Sequence, residues 1–319
     1  MKKDFDVITF GESMVLFSPD EKGPLRHIHH FSKAIAGAES NVAIALARLG
    51  TKVGWFSKVG HDEFGSYLEF MIRGEGVDVS RLKRDETHAT GLVFKEVFEH
   101  VNPNVYYYRK NSAASYLSKE DIDFEYICSA KILHITGITA AISTSAREAL
   151  FAAIDVAKKA GVLISFDPNI RLKLWSAQEA KATLLKICEQ TDILFPGIEE
   201  SEILLGTTDV DQILTRFHEM GIQQVALKMG KKGCVVSDGQ HQEFVPGYVV
   251  EQVEDSVGAG DGFAAGYLNS YLKGLSIQEC GDFANGVGAM ATLVRGDSEG
   301  FPTYEQLLAF TNKIEHIDR

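Results

Sequence analysis

The sequence predicts an α/β fold, a doubly wound and mostly parallel sheet with helices on both faces, plus a small additional β-sheet. Three observations carry that prediction. Short apolar runs alternate with amphipathic helical patterns from one end of the chain to the other, the order expected of successive βαβ units. No low-complexity linker, charge block or fixed-period repeat interrupts the 319 residues, so 1–319 reads as one domain. Two stretches, about 13–32 and about 90–109, carry strand patterns without helices of their own and are assigned to the extra sheet.

The main sheet opens with Val7-Ile8-Thr9-Phe10, a strand over 7–10. A small-residue turn, Ala36-Gly37-Ala38, introduces a helix over 41–49 that Gly50 closes, followed by a strand over 53–59 and a helix over 63–75. The runs Leu92–Phe98 and 105–109 read as the extra strands; their Tyr and Phe residues suit half-buried sheet packing or a second copy of the chain, and a lid-mediated homodimer is expected on that basis. Strands over 131–136, 163–167, 193–196 and 225–229 then alternate with helices over 145–159, 177–189 and 210–220. Ser176 and Glu179 form a capping box at the head of the second of these helices. A last helix is predicted over 262–273.

Composition excludes several function classes. The net charge is 32 − 44 = −12, which repels phosphate backbones and argues against a nucleic-acid partner. The N-terminal apolar run is too short for a signal segment or a spanning helix, so no membrane role and a cytoplasmic location are expected. Cys128, Cys188, Cys234 and Cys280 are far apart and make no C-x-x-C pair, as suits free thiols in a reducing compartment. His27, His29 and His30 alternate as on a strand face but lack the further ligands of a metal centre.

The most informative stretch is Asp255-Ser256-Val257-Gly258-Ala259-Gly260-Asp261-Gly262 ahead of the last helix. A helix N-terminus has unpaired N–H groups and the positive end of the macrodipole, and Gly258, Ala259 and Gly260 put little side chain in the way of an anion. Asp261 beside them, with an ordinary carboxyl pKa near ~3.9, is expected to be ionised and able to take the proton of an attacking hydroxyl. The plain alternative is a tight turn with an N-cap. The longer context resembles the Asp-Thr-x-Gly-Ala-Gly-Asp signature of the PfkB (ribokinase-like) carbohydrate kinases, with Ser256 in place of Thr. That resemblance implies a ribokinase-like fold with a β-lid, Asp261 as catalytic base, and the backbone N–H groups of Gly258 to Asp261 as an anion hole.

A second segment, Ala36-Gly37-Ala38-Glu39-Ser40-Asn41, is similar to the family's first signature, in which the turn glycine, here Gly37, and Asn41 bind sugar hydroxyls. Three further marks resemble the branch of the family acting on 2-keto-3-deoxygluconate. Tyr106-Tyr107-Tyr108-Arg109 and Asp167-Pro168-Asn169-Ile170-Arg171 match segments that imply substrate contact by Tyr107, Arg109 and Arg171, and the late turn Arg295-Gly296-Asp297 implies that Asp297 binds a hydroxyl. A guanidinium suits a carboxylate better than a neutral sugar, through charge-assisted bonds; the alternative for each arginine is a structural ion pair. Val93 stands about where these kinases often have a lid Tyr.

No Walker A sequence occurs and the G-x-G-x-x-G spacing is broken at Phe263, which disfavours P-loop and dinucleotide-oxidoreductase readings. The loop Lys228-Met229-Gly230-Lys231-Lys232-Gly233 is like the family's adenosine-binding loop, with Lys228 as a phosphate contact and Gly230 and Gly233 as its turn. The family's Asn-x-x-Glu appears as Gly197-Ile198-Glu199-Glu200, so Glu200 is expected to hold Mg2+ through water, although acids at a helix start are also ordinary. The expectation is therefore a kinase taking ATP and Mg2+, with a monovalent cation as a further candidate, which phosphorylates the terminal hydroxyl of a sugar acid. A fructokinase-like neutral-sugar kinase and a catalytically silent sugar sensor are the alternatives.

Overall fold

The computed structural model describes residues 3–98 and 101–313. Strands β1 (Phe5–Phe10), β2 (Met14–Pro19) and β3 (Phe31–Ala36) lead into helix α1 (Ala38–Arg48). β4 (Val53–Phe56) and β5 (Lys58–Gly60) precede α2 (Glu63–Gly74), followed by β6 (Lys83–Asp85), β7 (Leu92–Phe98) and β8 (Val101–Tyr108). The middle of the chain runs α3 (Phe124–Cys128), β9 (Ala130–Thr136), α4 (Gly137–Ile142), α5 (Thr144–Lys159), β10 (Leu163–Asp167), α6 (Ala177–Cys188), β11 (Ile193–Leu194), α7 (Ile198–Leu205), α8 (Val210–Glu219) and β12 (Gln224–Lys228). β13 (Gly233–Ser237), β14 (Gln242–Pro246), α9 (Ala259–Leu272), α10 (Ile277–Ala291) and α11 (Tyr304–Phe310) complete it.

The main sheet has eight strands in the order β14-β13-β12-β11-β10-β9-β1-β4, parallel from β4 to β12 and antiparallel at β13 and β14. Both faces are covered, which is why its strands read as continuous apolar runs. Alternate residues feed two cores. Val7, Ile132, Ile193 and Ala226 pack with α1, α2, α9 and α10, while Ile8, Leu133, Leu194 and Val225 pack with α3, α5, α6 and α8. The mostly parallel sheet and its two helical layers are thus as the apolar pattern predicts.

A separate four-stranded sheet, in the order β3-β2-β7-β8, is formed by the segments predicted to carry extra strands. Its strands differ from the predicted stretches: β3 runs on to Ala36, because Met14 and Val15 of β2 pair with Ala36 and Ile35 and all four are buried. Residues 21–30 are not strand but a loop with one turn at 25–27, so His27, His29 and His30 are exposed rather than ranged on a strand face. No cluster of three metal-ligating side chains occurs among the described residues. The four cysteines are buried and free.

The predicted strand over 53–59 is broken. β1 ends at Phe10, opposite Phe56, so the following residues have no partner in the main sheet and turn to the 83–90 segment, pairing as β5 with β6. Lys83 N–H donates to Ser57 O at 3.0 Å and Gly60 N–H to Thr90 Oγ1 at 3.0 Å. Both signature helices begin three residues before their predicted starts, at Ala38 and Ala259. Among the described residues no helix is long and apolar enough to cross a membrane.

Candidate functional site

The sequence-predicted residues gather at the C-terminal ends of the parallel strands, where open α/β sheets take their ligands. Glu12 follows β1, Asp167 ends β10 and Lys228 ends β12, and the N-terminal turns of α1 and α9 face the same region. Gly258 caps α9 in a left-handed conformation (φ 81°), and a Cβ there would be driven into the carbonyl oxygen of Asp297. Gly262 N–H closes the first turn on Gly258 O at 2.8 Å, so the N–H groups of Ala259, Gly260 and Asp261 have no intrahelical acceptor. A Cβ built on Gly260 meets only Lys228 Nζ, 3.8 Å away, which leaves space beside an ammonium and bare amides. That cradle suits the phosphate chain of a nucleotide.

Asp261 lies inside the first turn of α9, buried. Asn41 Nδ2 donates to Asp261 Oδ2 at 2.8 Å and joins the two signature helices, which also share apolar residues such as Val42, Leu46, Ala264 and Leu268. The expectation of an ordinary, fully ionised carboxylate is corrected. Burial pushes the Asp261 pKa up to about 7, against the Asn41 hydrogen bond; Asp167 raises it further, while Arg171 and Lys228 oppose. A base poised near neutrality transfers protons efficiently in both directions.

Lys228 Nζ donates to both carboxylate oxygens of Asp167, at 2.9 and 2.8 Å. Burial disfavours its charge, but Asp167, Glu200 and Asp261 outweigh that and hold its pKa above the usual lysine range. Gly230 begins the turn between β12 and β13 (φ 59°), with open space where a side chain would stand. Gly233 has a nearer reason to be glycine: a Cβ would strike the backbone of Val245 and Gly247 on the adjoining strand. Glu200 caps α7, its Oε2 accepting from Gly197 N–H and its Oε1 from Ile170 N–H, each at 2.8 Å. Each oxygen accepts one hydrogen bond and keeps a further lone pair that a metal-bound water could use.

On the acceptor side, Gly37 caps α1 where a Cβ would crowd Glu12 O and the Ser13 and Ser40 hydroxyls. Asn41 Oδ1 and Asn169 Oδ1 are buried acceptors without a partner among the described residues, which leaves them able to accept from a ligand hydroxyl. Arg109 is paired with Glu12: its Nε donates to Glu12 Oε2 at 2.7 Å, so the structural ion pair exists. Its guanidinium also stands 5.7 Å from the Tyr107 ring centroid on strand β8. Arg171 is exposed, has no carboxylate within ion-pair distance among the described residues, and acts electrostatically on Asp261. Asp297, expected to bind a substrate hydroxyl, already has a partner in the structure. Its carboxylate receives Lys95 Nζ at 2.8 Å, and burial is the main cause that raises its pKa.

Sequence reasoning left Glu12, Lys95, Asp167 and Asn169 unassigned. Asp167 and Asn169 lay in the segment that drew attention to Arg171, and the positive φ of Asn169 (39°) marks a constrained backbone, but neither Glu12 nor Lys95 carries a local signal.

Comparison with known proteins agrees with this geometry. Residues 4–304 match the pfkB family carbohydrate kinases. A 2-dehydro-3-deoxygluconokinase of Bacillus subtilis strain 168 is 42% identical over 307 residues, covering 96% of this chain and 95% of that one. Fructokinase-1 of Zea mays is 33% identical over 317 residues, covering 96% and 98%. A ribokinase II of E. coli solved in complex with ATP and Mg2+ superposes with a TM-score of 0.91 at 27% identity, covering 97% of this chain and all of that one (100%). With its signature helices joined through Asn41 and Asp261, the chain belongs to the PfkB family of carbohydrate kinases.

Proposed function

We propose that this carbohydrate kinase transfers the γ-phosphoryl group of ATP to the terminal hydroxyl of a sugar acid, 2-keto-3-deoxygluconate. One observation carries the reading: a buried carboxylate, Asp261, sits inside an unobstructed helix N-terminus, fixed by Asn41 and flanked by the charges of Lys228 and Arg171. Asp261 accepts the hydroxyl proton as the oxygen bonds to phosphorus and the bond to the ADP oxygen breaks. The first-turn amides and Lys228 stabilise the charge on the moving group. Mg2+ bound with ATP supplies further charge neutralisation, and Glu200 is the residue placed to hold it through water.

Arg171, with Arg109 and Tyr107, receives the acid end, while Asn41 and Asn169 take hydroxyls. The relative from Bacillus subtilis supports the acid over a neutral sugar. In this reading one domain carries the whole reaction, with the four-stranded sheet as its lid. A monovalent cation is a further candidate activator, decided by exchanging sodium for potassium in the assay.

ADP release measured over 2-keto-3-deoxygluconate, fructose and ribose tests the proposal. The sugar acid should be turned over with the highest kcat/KM, and Arg171→Ala should raise its KM roughly 10- to 100-fold, the loss of a charged hydrogen bond of about 1.5–3 kcal/mol. Better turnover of fructose would favour the neutral-sugar reading, and no release with any acceptor would make the chain a sugar sensor.

A further inference from the structure

We infer that Lys95, on lid strand β7, is a positioning residue for phosphoryl transfer: its ammonium, clamped between Asp255 and Asp297, holds the turn that forms the phosphate cradle. The inference rests on the reading that the first turn of α9 receives the transferring group.

Lysine is almost never buried unless paired, and Lys95 is 4% exposed. Its Nζ lies 2.9 Å from Asp255 Oδ2 and 2.8 Å from Asp297 Oδ1, and both carboxylates are themselves largely buried. The two acids stand on either side of Gly258. Asp255 Oδ1 accepts Val257 N–H at 3.1 Å, which shapes the turn from within, and the Asp297 carbonyl backs directly against Gly258. Burial opposes the lysine charge, but attraction to Asp297 and Asp255 outweighs it and raises its pKa.

Two arginines tie the 295–301 segment, which carries Asp297, to its surroundings. Arg295 donates to Pro19 O on lid strand β2 at 2.6 Å. Arg48, at the end of α1, donates to Ser298 O at 2.8 Å and to Phe301 O at 3.0 Å. The lid, the cradle and the helix bearing Asn41 are therefore held together through the 295–301 segment, with Lys95 bonded both to Asp255 of the cradle turn and to Asp297 of that segment.

Kinetics of Lys95→Met, Lys95→Arg and Lys95→Ala by ADP release, well below the melting temperature and normalised to nucleotide-binding chains, tests this. Lys95→Met should lower kcat roughly 10- to 100-fold with KM for ATP changed less than about threefold, because a displaced cradle is felt in the transition state. Lys95→Arg should recover at least half of that loss on a logarithmic scale, and added ethylammonium should partly restore Lys95→Ala. Unchanged kcat per binding-competent chain in Lys95→Met overturns the inference. If Lys95→Met does not fold, Asp255→Asn, which leaves one ammonium facing one carboxylate, decides: lowered kcat supports the inference and unchanged kcat overturns it. Failure of the wild type to release ADP with any acceptor would instead defeat the kinase reading.

Discussion

The basicity of Asp261, the proposed base, depends on where the chain buries it. The same carboxyl on an exposed turn would be ionised at every physiological pH and would be a weak base; burial lifts it to about 7. The base must be unprotonated to act, so kcat/KM should rise with pH, by about tenfold per unit on the acid side, and level off above about 7. A profile flat from pH 5 to 7 would contradict this. Asp261→Asn keeps a hydrogen-bonding partner for Asn41 but cannot take a proton, and should lower kcat by about 10²–10⁴ without unfolding the protein. Near-full turnover in that variant would remove the residue from the chemistry.

At the scale of the element, α9 works because its N-terminus has no side chain in the way. Gly258→Ala imposes a left-handed conformation on a residue with a Cβ, at about 1–2 kcal/mol, and also pushes that Cβ into Asp297 O. The expected result is a lower melting temperature together with a fall in kcat of at least about tenfold, since the cradle must shift to relieve the clash. A variant with wild-type kcat would show that the cradle does not contact the moving phosphoryl group. This element was legible in the sequence because its chemistry is local: small residues, an acid and a helical pattern within a dozen positions. Its start was not, since only the backbone shows that Ala259 already belongs to the helix. The break at Ser57 was hidden for a similar reason, because it depends on where β1 runs out at Phe10, far earlier in the chain.

Across the whole molecule, ligand binding should tighten contacts that already link distant segments. With non-hydrolysable ATP analogue and sugar acid each at about 100 times Kd, each should add about 2.7 kcal/mol to stability and raise the melting temperature, and Asp261→Asn should retain the shifts while losing turnover. Absence of any shift with the acid would point to a different acceptor. The main sheet, its helical layers and the existence of a small separate sheet were readable from apolar periodicity, which reports what each segment must bury. Glu12 and Lys95 were not, because what defines them is a partner in another part of the chain: Arg109 for one, Asp255 and Asp297 for the other. The burial that tunes Asp261 is likewise a property of the assembled core and leaves no local trace.

The hydrogen bond between Asn41 and Asp261 joins residues 220 positions apart. During synthesis α1 therefore emerges from the ribosome long before the acid that its Asn41 holds. A nascent chain arrested ahead of α9 lacks Asp261 and the open helix N-terminus, so under the proposed mechanism a premature fragment has no means of consuming ATP, however well its sheet has formed.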